Sequence, residues 1–141
     1  MIEQLLNTPC HIIDFLPQQV PEDSPGQFFA VEAYFLRPPR YTELRRSFLE
    51  LLLRVNCYAD FHVSTPDQDT VLRNPSPDEL SAWILPNQKD LCILLPDEHA
   101  LFTLNRDDTY MTVYHASARL LELLGPLTSA CGLFLRGPVQ P

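Results

Sequence analysis

The chain has 141 residues, enough for one domain around a single core, and 45% of them are hydrophobic. With 18 acidic against 10 basic residues, a net charge of −8, it lacks the clustered cations that a nucleic-acid or anionic-lipid surface requires. No apolar run approaches the roughly 20 residues that span a bilayer, so neither nucleic acid nor membrane is expected as a partner.

Residues 2 to 7 suit a short helical turn, and the N-terminal stretch, broken by Asn7, Pro9 and Asp14, predicts neither a signal peptide nor an anchor. Cys10 to Leu16 reads as a strand that stops at Pro17. Alternation sets Ile12, Asp14 and Leu16 on one face and His11, Ile13 and Phe15 on the other. An acid between large apolar neighbours is either wet or held by a partner, because a buried unpaired carboxylate is costly. A loop rich in proline follows.

In "SPGQFFAVEAYFLRP" two readings compete, since Phe29, Val31, Ala33 and Phe35 alternate while Phe28, Val31 and Phe35 fall on helical spacings. Ser24-Pro25-Gly26-Gln27 has the form of a capping box, which favours the helix. One helix cannot bury Phe28, Phe29, Tyr34 and Phe35 on a single stripe. That surplus points to a protein partner or a homo-oligomer contact, against the plainer alternative of core packing.

Pro38-Pro39 ends the segment, and Tyr41 to Val55 predicts an amphipathic helix with Leu44, Phe48, Leu51, Leu52 and Val55 on its buried face. Arg45, Arg46, Glu50 and Arg54 take the remainder. "YADFHVS" reads as a strand with Phe61 and Val63 on one side and Tyr58, Asp60, His62 and Ser64 on the other. Residues 66 to 75 are expected to form a loop. Ser76-Pro77-Asp78-Glu79 repeats the capping-box pattern before a short helix closed by Pro86.

"LCILL", "HALFTL" and "TYMTVYH", parted by short polar turns, predict a three-stranded antiparallel meander at about 91–114. A helix over about Ala116 to Leu124, stopped by Gly125-Pro126, and a last strand in "CGLFLRG" complete the chain. The whole predicts one α+β domain over residues 1–141, a mainly antiparallel sheet with about four helices on one face.

Signatures of catalysis and cofactor binding are absent from this sequence. There is no Cys-x-x-Cys, His-Glu-x-x-His or EF-hand spacing for a metal, no Gly-x-Ser-x-Gly, and with four glycines no phosphate-cradling loop. No cofactor and no metal are therefore expected. One enzymatic arrangement stays open: if the strand around Asp60 and His62 lay beside Cys10 to Leu16, Asp14, Asp60 and His62 would form an acid and base site or a metal-assisted hydrolytic one. The alternative is the polar face of an edge strand. His99 and His115 flank the last hairpin and stand as a candidate cross-strand pair. Cys10, Cys57, Cys92 and Cys131, far apart in apolar contexts, read as buried reduced thiols of a cytoplasmic protein. The leading expectation is a binding or self-associating module using Phe28, Phe29, Tyr34 and Phe35, with the small-molecule enzyme as the second.

Overall fold

The computed structural model describes residues 1–140. In chain order its elements are α1 (Ile2–Leu5), β1 (Cys10–Asp14), α2 (Phe28–Leu36), α3 (Arg40–Asn56), β2 (His62–Ser64), β3 (Val71–Arg73), α4 (Pro77–Ile84), β4 (Leu91–Leu95), β5 (Ala100–Leu104), β6 (Tyr110–Tyr114), α5 (Ala118–Ala130) and β7 (Phe134–Val139). The strands make one antiparallel sheet in the order β3-β2-β4-β5-β6-β1-β7. This is an α+β domain whose meander, β4 to β6, sits at the centre of a wider sheet than its three strands alone would make.

Each strand sends alternate residues to opposite faces. Ile13, Val63, Ile93, Phe102, Met111 and Val113 join the buried side of α3, including Phe48, Leu51, Leu52 and Val55, in the main core. Leu80 and Ile84 of α4 and Leu120 and Leu124 of α5 close that core from the same side. On the opposite face α1 covers a small patch, with Ile2 and Leu5 against Cys92 and Leu101. Toward β1 and β7 the same face carries Asp14, Tyr110 and Arg136, which line a cleft together with Phe28 and Glu32 of α2.

Several local expectations are corrected. Arg45, expected among the outward residues of α3, is fully buried. Its Nε donates to the Ile84 carbonyl at 2.5 Å and its Nη1 to the Asn105 carbonyl at 3.3 Å, tying α3 to the end of α4 and to the β5–β6 turn. A guanidinium can enter a core when carbonyls replace its water. The polar stretch 66 to 75 contains strand β3, whose three residues gain their structure by pairing with β2. Gly125-Pro126 does not stop α5. Leu120, Leu124 and Thr128 are buried at spacings of four, so packing carries the helix past its proline. It ends instead at Gly132, φ +73°, with Gly132 N–H bonded to Ser129 O and Leu133 N–H to Thr128 O, a Schellman closure.

The capping box at Ser76 forms: Glu79 N–H donates to Ser76 Oγ at 3.1 Å and Ser76 N–H to Glu79 Oε1 at 2.9 Å. The one expected at Ser24 does not. Ser24 Oγ accepts instead from Gly26 N–H within a turn, and α2 begins at Phe28, capped by Gln27 with no side-chain bond.

Candidate interaction surface

Helix α2 has the sequence FFAVEAYFL, apolar or aromatic everywhere except Glu32, yet not one of its residues is buried. Its periodicity divides it into two sides. Phe28, Glu32, Phe35 and Leu36 are half-buried, whereas Phe29, Ala30, Ala33 and Tyr34 face out, with Val31 at the margin. Phe29 is 79% exposed. The inner side holds to the domain mainly through Phe35, whose ring lies 5.0 Å from that of Phe15 at the end of β1, and through contacts with α3. Arg37 and Arg40 stack on the Tyr34 ring at 5.4 and 4.0 Å, so the helix leaves through a basic, aromatic end.

Beneath the inner side, where the proline-rich loop returns from β1, lies a cleft of about 190 Å³. Asp14 forms its floor. The carboxylate is buried, with Oδ1 accepting from Phe15 N–H at 2.7 Å and Oδ2 from Arg136 Nη2 at 3.1 Å. Arg136 reaches it because β7 pairs with β1, setting Arg136 beside Ile12 and Phe134 beside Asp14. Phe28 and Glu32 of α2 and Gln19 of the loop form the wall, and Tyr110 and Arg136 continue as a second depression out to Val139. Burial pushes the Tyr110 phenol above its ordinary pKa, with Asp108, Tyr114 and Asp14 adding to the rise, so it stays a neutral hydrogen-bonding group.

Asp14 and His62 share the open sheet face, but four strand spacings separate β1 from β2, about 19 Å at about 4.8 Å each. Asp60 precedes β2 and lies outside the sheet ladder, where its Oδ1 accepts from Asn74 Nδ2 at 3.0 Å. The structure does not bring the three together. Asp14 finds Arg136 instead, and nothing in "CGLFLRG" announces that pairing beyond a lone cation within an apolar strand. The two strand-end histidines meet through one ring only, with His115 Nδ1 donating to the His99 carbonyl at 2.7 Å. Cys57 at the end of α3 is exposed, unlike the buried Cys10 and Cys92, which corrects the expectation of four buried thiols.

Among the described residues no group of three His, Cys, Asp or Glu side chains is placed to hold a metal ion, and no helix is long and apolar enough to cross a membrane. In the cleft, Asp14 uses both oxygens on a backbone amide and a guanidinium, an arrangement that holds its charge in place. The outward side of α2 is thus an uncharged, partly aromatic face, and the cleft on its inner side is polar. No family model, curated protein or solved structure matches the chain.

Proposed function

We propose that this protein works by binding protein, docking through the outward face of α2, the side turned away from the Asp14–Arg136 cleft. The observation that carries the reading is a nine-residue helix with one charged residue and none buried. Burying a side chain such as Phe29 or Val31 contributes roughly 1.5–3 kcal/mol, a gain the isolated domain leaves unused. Aromatic side chains ringed by polar groups are the usual anchors of protein interfaces. The net charge of −8 weighs against nucleic acid as the ligand, and the free cysteines, one of them exposed, fit a reducing, cytoplasmic setting.

The test is a photo-reactive phenylalanine analogue placed at position 29 in living cells, with the same analogue at Tyr58 as control. Tyr58 is also exposed, at 65%, and belongs to a different part of the surface. Covalent protein adducts from position 29 and none from 58 are expected. Equal yields from both, or none from either, would overturn the reading.

A further inference from the structure

The segment that forms α2 has an internal symmetry. From Phe28 to Phe35 it runs aromatic, aromatic, alanine, two others, alanine, aromatic, aromatic, and so reads alike in both directions. We infer from this reversal that the occupant of the α2 face is a second copy of the same chain, packed antiparallel across a two-fold axis between Val31 and Glu32. The inference rests on the docking reading above and names its partner.

A two-fold contact requires one patch to complement itself, residue i meeting j and j meeting i. About that axis Phe29 lies opposite the second copy's Tyr34, and Ala30 opposite the second copy's Ala33. All four residues are on the exposed side of α2. The two alanines leave room at the centre for the helices to approach to the short end of the usual range, about 8 Å. The two aromatics then fill the space on either side.

Charge agrees with the same arrangement. Each chain carries −8, so two copies repel in general, yet the facing residues are uncharged. The chain enters α2 through Glu22 and Asp23 and leaves through Arg37 and Arg40. Antiparallel packing turns the acidic segment that precedes α2 in one copy toward the Arg37 and Arg40 end of the other. A parallel pair would set base against base.

Nine residues make a helix of about 14 Å, which places the contact at the small end of specific interfaces, below about 1,200 Å² in total. The dimer is accordingly expected to be weak and concentration-dependent.

Sedimentation equilibrium from about 1 to about 100 µM tests this with three proteins: wild type, Phe29→Asp and Tyr34→Lys. Circular dichroism melting confirms that each variant folds, as expected for substitutions at exposed positions. Wild type should rise from 16.2 kDa toward twice that mass, and each variant alone should associate at least ~10-fold more weakly. Mixing the two variants should restore association, because the carboxylate introduced in one chain then faces the ammonium introduced in the other across one half of the contact, while the other half is native. A wild type that stays monomeric throughout overturns the inference, and adducts to other proteins at position 29 would then leave the docking reading standing. Dimers that persist in both variants place the contact elsewhere, and failure of the mixture to rescue removes the antiparallel register; either result overturns the inference.

Discussion

Asp14 shows how a single side chain changes meaning once its neighbours are known. In the sequence it is an acid among apolar residues, read first as wet or bound to backbone amides and only second as part of a catalytic group. In the fold its side chain is 11% exposed and that of Arg136 23%, so the pair is partly desolvated and each group relies on the other. Removing the cation alone strands a carboxylate against a backbone amide and little else. We expect Arg136→Met to destabilise the domain by about 1–3 kcal/mol, Asp14→Asn by a similar amount, and the double variant by clearly less than the sum. Urea unfolding of the four proteins measures this coupling. Strict additivity would mean that the pair acts as two independent side chains.

Arg136 was not legible because strand order was not: a lone arginine in "LFLRG" acquires a role only when β7 lies beside β1. Arg45 was misplaced for a related reason. Helical periodicity assigns a residue to a face but does not show that the Ile84 and Asn105 carbonyls wait there to receive it.

At the scale of elements, the parts read correctly were those whose local signals agree with their tertiary setting. The meander strands alternate or run apolar between polar turns, and α3 carries five of its predicted apolar residues into the core. Where tertiary contacts decide, local signals mislead. Strand β3 has three residues in a polar stretch and exists through its ladder with β2, and α5 outruns its proline because Thr128 is buried beyond it.

The two serine signatures give the sharpest comparison, since Ser24-Pro25-Gly26-Gln27 and Ser76-Pro77-Asp78-Glu79 look alike in sequence but only the second caps a helix. A glutamate at the third position can reach back to the cap's N–H, whereas Gln27 stands at the start of α2 and makes no such bond. Ser76→Ala should therefore cost about 1 kcal/mol. Ser24→Ala should stay within about 0.5 kcal/mol of wild type. Urea midpoints of the two variants check this, and equal losses would contradict the assignment of caps.

For the molecule as a whole, the sheet separates two tasks. One face, closed by α3, α4 and α5, holds the fold together around Phe48, Phe61 and Phe102, all fully buried. The other face carries the smaller cluster under α1, and the outward side of α2 remains exposed. The sequence shows that one helix cannot turn all four aromatics inward but not which stay out; Phe29 and Tyr34 are exposed, whereas Phe28 and Phe35 are half-buried. What the sequence withheld was their surroundings, a cleft whose polar groups come from β1, β6, β7 and the intervening loop. The proposed binding role rests on α2, whose inner side reaches the core through Leu36 and Phe35 while Phe29, Ala30, Ala33 and Tyr34 stay exposed.

The most direct measurement is sedimentation velocity in cell extract, using wild type and Phe29→Asp each labelled with a dye at the exposed thiol of Cys57. Wild type should sediment faster than the isolated 16.2 kDa chain, as a dimer or in a complex, and Phe29→Asp should fall back to the rate of the isolated chain. Identical profiles for the two proteins would contradict the assignment of α2 as the docking surface.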